Sequence, residues 1–325
     1  MNTKRIAVTM GDASGIGPEL ALKAWQEGHL PSDIFVIGDL AALTLCNQTL
    51  SLNVPLHTVT DTLDLVTDRL NVFDLGCLEM TQIRPGQLNR QSGVAAAQYV
   101  VKAVELYHAG KIDAVVTLPM NKEATRLSLP DFTGHTELLA SLCGCTDYTM
   151  MLTSEKLTVT HVSTHVSITE AVKAVTTQRV VDVIRLTDQA LRRLMPAPKI
   201  AVAGLNPHAG ENGAFGDEEL QSIIPAVNSA RQEGIQCTGP IAPDTVFLKA
   251  VQGEYDVVVC MYHDQGHIPM KLLDFDGGVN VTLGLDLIRT SVDHGTAFDI
   301  AYQGIASTKS FVRALETARA MMGEG

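Results

Sequence analysis

The chain has 325 residues, of which 46% are hydrophobic and 18% are charged. This composition supplies apolar cores for about two domains and excludes a disordered or collagen-like chain. Lys and Arg number 24 against 36 Asp and Glu, a net charge of -12. An acidic surface repels the phosphate backbone of nucleic acid and anionic lipid, so neither nucleic acid nor a membrane is expected as a partner, whereas a small anionic substrate is not excluded.

Short apolar runs alternate with longer helical patterns along the chain. Strands are predicted at residues 5–9, 34–37, 114–117, 158–162, 200–203 and 256–261. Helices are predicted at residues 18–27, 93–108, 177–194 and 218–233. Because the strands are apolar throughout rather than alternating, they fit parallel sheets that are covered on both faces. The pattern predicts an α/β fold.

Cysteine usage and the N-terminus predict a soluble, cytoplasmic protein. Six cysteines are scattered along the chain, and the one close pair, Cys143 and Cys145, matches neither a zinc knuckle nor a redox motif. Reduced thiols are therefore expected. The first residues enter a predicted strand at once, without a signal-peptide pattern, and no run approaches the ~18 apolar residues that span a bilayer.

Three histidines follow predicted strands: His165, His208 and His263. The carboxyl ends of parallel strands meet at one edge of a sheet, where ligands of open α/β folds bind. Three neutral imidazoles with one side left open suit Zn²⁺ or a similar divalent ion. The alternative is that each ring caps a loop or donates to a carbonyl. A structural role of this kind would be the simpler explanation for one histidine. Three histidines at three strand ends favour a shared metal site.

His161 offers a second candidate, because it lies four residues from His165, the spacing of a helical zinc pair. The surrounding residues 157–162 favour a strand, however, and four residues of strand span ~13 Å, too far for one ion. We therefore predict His165 as the ligand and His161 as a structural residue.

Basic and amide side chains are the next candidates. His135 and Thr136 begin an apparent helix, whose N–H groups could hold an anion, although Thr136 fits equally well as a simple helix cap. Four more polar residues, each of which taken alone would be explained as a surface side chain, are Lys122, Lys271, Asn280 and Arg289. Together they suit a phosphate and a carboxylate.

Asp264 directly follows His263, so it could orient that ligand or act as an acid or base. Asp244 is a further acidic candidate.

Two glycine loops are candidates for a cofactor site. Residues 11–18 join a strand to a helix but lack the dinucleotide fingerprint, because Leu20 stands where the third glycine would fall, and no P-loop is present. A tight turn explains them equally well. The second loop has small residues before a helix, which suits close approach to an extended cofactor. Its residues are Asp293, His294, Gly295, Thr296 and Ala297.

Several motifs occur together in one order: GDASGIGPE at residues 11–19, GHTE at 134–137, LNPHAGE at 205–211, YHDQG at 262–266, and GVNVTLGL at 278–285 followed by IRTSVDHGTA at 288–297. With them the chain resembles the 4-hydroxythreonine-4-phosphate dehydrogenase family of vitamin B6 biosynthesis over residues 5–306. The resemblance implies two α/β/α domains with a cleft between them, as in isocitrate and isopropylmalate dehydrogenases. Residues 1–130 and 290–325 would form an outer domain with the cofactor loop. Residues 131–289 would bind metal and substrate and form the interface of a homodimer with a shared active site.

The resemblance also implies a reaction: NAD-dependent oxidation of a secondary alcohol followed by loss of CO2. One divalent ion (Zn, Mg, Mn or Co) would be bound by His165, His208 and His263. Substrate contacts would come from the following residues: His135, Thr136, Lys271, Asn280 and Arg289. The name-giving substrate, 4-phosphohydroxy-L-threonine, would yield 3-amino-2-oxopropyl phosphate.

The base that takes the hydroxyl proton stays open among three residues: Lys271, Asp264 and His135.

Two departures from the family pattern keep a second substrate open. Ala13 and Ser14 follow Asp12 where biosynthetic members often carry Glu-Pro-Ala, and residues 276–278 lack an often-present basic residue. A related branch, acting on D-threonate or D-erythronate 4-phosphate in sugar-acid catabolism, is therefore the alternative.

Two other classes of function also remain. A metal-dependent phosphohydrolase would need a second ion ~4 Å away and clustered carboxylate ligands. Asp244 and Asp264 alone are too few for such a cluster. A non-catalytic ligand-binding protein could use the same fold.

Overall fold

The computed structural model describes residues 4–323. Strand and helix alternate from the start of the chain. The strands before residue 147 are β1 (Ile6–Thr9), β2 (Ile34–Gly38), β3 (Leu56–Val59), β4 (Leu70–Asp74) and β5 (Ala114–Thr117). The helices are α1 (Gly17–Gln26), α2 (Leu40–Thr49), α3 (Arg90–His108), α4 (Lys122–Arg126) and α5 (His135–Leu142), with a 3-10 turn at Met80–Gln82.

The middle of the chain continues the alternation. Its strands are β6 (Thr149–Thr153), β7 (Thr158–His161), β8 (Ile200–Ala203), β9 (Cys237–Ile241), β10 (Val257–Cys260) and β11 (Val279–Leu283). Its helices are α6 (Ile168–Ala174), α7 (Thr177–Leu191), α8 (Ile224–Gln232), α9 (Pro243–Val251) and α10 (His263–Leu273). An irregular turn lies at Pro207–Gly213, and a π-helical turn at Glu219–Ile223 leads directly into α8. The last part holds β12 (Ile288–Val292), a 3-10 turn at Phe298–Ile300 and α11 (Lys309–Met321).

The described chain divides into two compact units. The first contains residues up to Thr146 together with Leu285–Met322, and the second contains Asp147–Gly284. The predicted boundaries, after residues 130 and 289, fall inside the first unit, because α5 packs on α3 and β12 pairs with β5. His135, Thr136 and Arg289 therefore belong to the first unit. Residues 1–3 and 324–325 of the predicted outer domain lie outside the described residues.

The first unit is built on a parallel sheet. Its described strands lie in the order β3-β4-β2-β1-β5-β12, and each neighbouring pair is parallel. Strands β1, β2 and β5 are buried at every residue, as predicted for strands covered on both faces. The carboxyl ends of β1, β5 and β12 consequently meet at one edge.

The second unit has a mixed sheet in the order β11-β6-β7-β10-β8-β9. Strand β6 is antiparallel to both of its neighbours, whereas β7, β10, β8 and β9 are parallel. Side chains from these strands, with Val246 of α9 and Met270 of α10, form a buried apolar cluster. The predicted α/β class is confirmed, and the carboxyl ends of β7, β10 and β8 lie side by side. Across residues 4–323, no helix combines the length and the apolar character needed to cross a membrane.

Candidate active site

Two of the predicted metal ligands lie close together at the carboxyl edge of the second unit. His165 follows β7 and His263 begins α10, and their ring centroids are 5.5 Å apart. Asp264 Oδ1 lies 2.7 Å from His263 Nδ1. This carboxylate can fix the proton on Nδ1 and leave Nε2 of His263 for a ligand, the arrangement that orients many metal-binding histidines. The donor chemistry of this pair therefore fits a divalent ion.

His208 lies in the turn Pro207–Gly213 after β8, on the same sheet edge. Its ring contacts Phe215, with 6.1 Å between the centroids. Within residues 4–323, no group of three or more His, Cys, Asp or Glu side chains is placed to hold a metal ion. The structure thus makes neighbours of His165 and His263, and the participation of His208 stays a prediction.

The turn that carries His208 has an unusual backbone. His208, Ala209, Glu211 and Asn212 have φ of 53°, 54°, 41° and 55°, a left-handed conformation that non-glycine residues rarely adopt. The buried carboxylate of Glu219 anchors its start by accepting the N–H groups of residues 205 and 206, each at 2.8 Å. Such conformations concentrate at functional sites, which agrees with a functional role for this turn.

His161 has the environment of a core histidine. It is fully buried, and its Nδ1 lies 3.3 Å from the Met150 carbonyl oxygen. Burial, followed by the nearby His267 ring, lowers the pKa of His161 to about 3. His267 in turn stacks on His263 with 3.7 Å between their centroids. His161 is therefore neutral near pH 7.

Lys271 and Asn280 also belong to the second unit. Lys271 Nζ lies 5.3 Å from the centroid of the Phe275 ring. Asn280 Nδ2 contacts Met150 Sδ at 2.8 Å, while the buried Oδ1 of Asn280 accepts no hydrogen bond from the described residues. An unsatisfied buried acceptor of this kind is costly, and a bound polar ligand would satisfy it.

Arg289 is a buried cation at the ligand edge of the first unit. It is 3% exposed on β12, and its Nε and Nη2 donate to Thr117 Oγ1 at 3.2 and 2.7 Å. Burial lowers the pKa of Arg289 to about 10, opposed by the charge of Glu137. The guanidinium is therefore still charged at pH 7 and attracts an anion. Thr117 was not singled out from the sequence, although its place as the last residue of a strand was a signal.

His135 and Thr136 begin α5 in the same unit. Burial lowers the pKa of His135 well below its ordinary value, and the charges of Arg289 and Lys122 lower it further. Its buried Nε2 has no hydrogen-bond partner among the described residues. His135 is thus a neutral imidazole beside two cations, able to exchange a hydrogen bond or a proton with a ligand.

The two glycine loops that the sequence singled out separately lie against each other in the first unit. Ile16 N donates to Thr296 O at 3.1 Å, and a Cβ on Gly15 would stand 2.8 Å from that oxygen. A Cβ on Gly295 would meet no atom within 4 Å, and Ala297 has a φ of 43°. The backbone of Gly295 is therefore open to a ligand, as a cofactor loop at residues 293–297 requires.

Asp12 is a buried carboxyl group in the first of these loops. It is 0% exposed, its Oδ1 accepts Ser14 N at 2.8 Å, and its Oδ2 has no partner among the described residues. Burial raises the pKa of Asp12 to about 6, against a smaller opposite effect of the Ser14 N–H group. The folded protein therefore holds this proton more tightly than the unfolded chain does.

We expect Asp12 to make stability fall as the pH rises from about 4 to about 6, because over this range the folded state still binds a proton that the unfolded chain has lost. The shift from 3.8 to about 6 corresponds to up to ~3 kcal/mol. Denaturant unfolding of Asp12→Asn should show a gain relative to the parent at pH 7 that is absent at pH 4. Equal differences at both pH values would contradict the expectation.

Comparisons with known proteins place the chain in a family. The family model described as "Pyridoxal phosphate biosynthetic protein PdxA" matches residues 31–318. The chain is 46% identical to D-threonate 4-phosphate dehydrogenase of Salmonella typhimurium, covering 98% of this chain and 99% of the relative. It is 45% identical to 4-hydroxythreonine-4-phosphate dehydrogenase of Geobacter metallireducens, covering 98% and 96%.

Solved structures agree on the fold. The crystal structure of 4-hydroxythreonine-4-phosphate dehydrogenase from Klebsiella pneumoniae superposes with a TM-score of 0.86 at 43% identity, covering 98% of this chain and 99% of that one. A β-decarboxylating dehydrogenase from Thermococcus kodakarensis shares the fold alone, with a TM-score of 0.51, 15% identity and coverage of 99% and 83%. The predicted fold class and family are confirmed: the chain belongs to the PdxA family.

Proposed function

We propose that this protein oxidises and decarboxylates a phosphorylated hydroxy acid with NAD. As a member of a family whose relatives are named dehydrogenases, it is an oxidoreductase. The observation that carries the proposal is the pair His165 and His263, with Asp264 on Nδ1, at the carboxyl edge of the second unit. No membrane or nucleic acid takes part, and the protein acts in the cytoplasm as a homodimer with a shared active site.

The metal site comprises His165, His208 and His263. A divalent ion held there, whether Zn, Mg, Mn or Co, would lower the pKa of a substrate hydroxyl and stabilise the negative charge that develops as CO2 leaves. The chain's own contribution is to orient the ligands. The Asp264 carboxylate sets the tautomer of His263, and Glu219 fixes the start of the turn that carries His208.

The anionic groups of the substrate are bound by basic and amide side chains. In the first unit these are Arg289, His135 and Thr136, and in the second they are Lys271 and Asn280. The buried charge of Arg289 gives a strong, charge-assisted contact to phosphate or carboxylate. Fixing both ends of the substrate would decide which of its carbons faces the nicotinamide ring, and residues 293–297 would help to hold the NAD.

The proton acceptor is one of three groups: His135, Asp264 or Lys271. A general base must be unprotonated at the working pH. His135 meets this condition, because burial and the neighbouring charges of Arg289 and Lys122 keep it neutral. The same effects disfavour its protonated form, so neutrality alone does not select it as the base. Asp264 is engaged by His263 Nδ1, and Lys271 lies over the Phe275 ring.

Two substrates within the class remain in competition. D-threonate 4-phosphate is favoured by the relative at 46% identity, and 4-phosphohydroxy-L-threonine by the relative at 45%. The two differ in a hydroxyl or an amino group beside the reacting centre. The unsatisfied Oδ1 of Asn280 could accept a hydrogen bond from either group.

A substrate panel at fixed NAD tests the proposal. Purified protein with each divalent metal in turn should form NADH and CO2 in equal amounts from one of three acids: 4-phosphohydroxy-L-threonine, D-threonate 4-phosphate or D-erythronate 4-phosphate. The substrate is the acid with the highest kcat/KM. Release of free phosphate without NADH would instead identify a phosphohydrolase. A metal-loaded protein that turns over none of them would be a binding protein.

A further inference from the structure

A buried carboxylate on α1 binds the chain beyond the cofactor loop. Glu19 is 0% exposed although it lies among apolar residues of the helix. Its Oε1 accepts the N–H of Ala306 at 2.8 Å, and its Oε2 accepts the N–H of Gly304 at 3.1 Å. A buried charge that binds two main-chain groups of an irregular segment holds that segment in place.

Lys23, one helical turn further along, binds the same two residues from their carbonyl side. Its Nζ donates to Gly304 O at 3.1 Å and to Ala306 O at 2.5 Å, and it lies 3.8 Å from Glu19 Oε1. The pair satisfies both the N–H and the C=O of residues 304 and 306, as a neighbouring strand would. We call Glu19 and Lys23 the loop clamp.

Tyr302 makes a third attachment. Its φ of 59° is left-handed, which a bulky residue adopts only when its surroundings hold it there. Its hydroxyl donates to Ala13 O at 2.8 Å, and the ring is 6% exposed. Together with the Ile16 to Thr296 hydrogen bond, this ties the cofactor loop to the first glycine loop.

These attachments bear on ligand binding because the segment between β12 and α11 has little regular structure of its own. Ordering such a segment when a ligand binds weakens the ligand's affinity, and ordering it beforehand removes that cost. The apparent dissociation constant rises in proportion as the competent conformation becomes less populated. A clamp some residues away can therefore control affinity without contacting the ligand.

We propose that Glu19, Lys23 and Tyr302 are positioning residues that hold residues 293–297 in the conformation that binds the nicotinamide dinucleotide. The clamp sets cofactor affinity and leaves the chemical step and the phosphorylated substrate unaffected. This inference depends on the proposed NAD chemistry.

The test measures NADH binding by its fluorescence in the parent, Glu19→Gln and Tyr302→Phe. We expect the dissociation constant of Glu19→Gln to rise about tenfold, since it loses a charge-assisted bond to the segment. Tyr302→Phe should shift in the same direction by a smaller factor. In turnover assays, the KM for NAD should rise with the dissociation constant, while kcat and the KM for the phosphorylated acid stay within about twofold of the parent.

Controls separate positioning from a general loss of stability. Glu170→Gln makes the same change at the exposed pair with Lys173 on α6 and should leave NADH binding unaltered. Amide hydrogen exchange should quicken at residues 304 and 306 in Glu19→Gln. Faster exchange at these residues with unchanged NADH affinity in both Glu19→Gln and Tyr302→Phe would overturn the inference. If Glu19→Gln does not fold, the NADH affinity of Tyr302→Phe alone decides whether the inference holds. A parent that binds no NADH would refute the proposed cofactor itself.

Discussion

Replacing His263 by alanine is expected to remove the divalent ion and to lower turnover by about a thousandfold. A metal supplies several kcal/mol of charge stabilisation, and each ~1.4 kcal/mol is a factor of ten in rate. His263 stands at the centre of the observed contacts, 2.7 Å from Asp264 and 5.5 Å by ring centroid from His165. Metal content by elemental mass spectrometry after dialysis, with NADH formation, measures both losses.

Two further variants serve as a control and as an intermediate case for this experiment. His29→Ala removes an exposed histidine of the first unit and should retain both metal and turnover. Asp264→Asn should weaken metal binding about 10–100-fold, the usual effect of losing a carboxylate that orients a ligand. Full metal content in the His263→Ala protein would show that His263 is not a ligand.

The Arg289→Met variant should raise the KM for the phosphorylated acid roughly a hundredfold. Hydrogen bonds to charged groups contribute ~1.5–3 kcal/mol, and Arg289 is held at 3% exposure with its fork oriented by Thr117. NADH affinity should stay unchanged, because the proposed role of Arg289 is to bind the acid and not the dinucleotide. Steady-state kinetics and an NADH titration measure the two constants.

Thr117→Val provides an intermediate case. It keeps the Arg289 charge but removes the acceptor of both hydrogen bonds that orient the guanidinium, so about a tenfold rise in KM is expected from the loss of ~1.4 kcal/mol. Arg185→Met removes an exposed arginine that pairs with Glu233 and serves as the matched control. A KM in the Arg289→Met protein equal to that of this control would remove Arg289 from the substrate site.

The strands predicted from the sequence, namely β1, β2, β5, β7, β8 and β10, agree with the structure to within one residue at each end. Other strands were not predicted, and β12 shows why, because Arg289, Thr290 and Ser291 give it the sequence of an exposed segment. In the fold these residues are buried, with the guanidinium on Thr117 and Thr290 Oγ1 donating to Ala314 O at 2.8 Å. Their polar groups are satisfied by partners far away in the chain, which no local pattern reveals.

Helix α10 was missed for a similar reason. Gly266 and Pro269 both weigh against a helix, so the segment after β10 is not among the helices predicted from the sequence. A Cβ at Gly266 would lie 2.7 Å from His161 Nε2, so the glycine is required by the close packing of α10 on β7. Helix propensity is misleading at this position because a tertiary contact, rather than the local sequence, requires the glycine.

The candidate site was predictable in its location more than in its detail. Parallel pairing of β7, β10 and β8 follows from their apolar sequences, and it puts His165, His263 and His208 at one edge. The left-handed turn at Pro207–Gly213 could not be foreseen, because His208, Ala209 and Glu211 adopt a positive φ that such residues rarely take.

The discontinuous first unit has a consequence for biosynthesis. Strand β12 pairs with β5, yet the whole of Asp147–Gly284 lies between them in the chain. The ribosome therefore completes the contiguous second unit before the first can close its sheet, the reverse of the usual N-terminal-first order. Contacts of such long sequence separation form slowly. The hydrogen-bonding edge of β5 therefore stays unpaired until β12 has been synthesised, and during that time it must be protected from pairing with other chains.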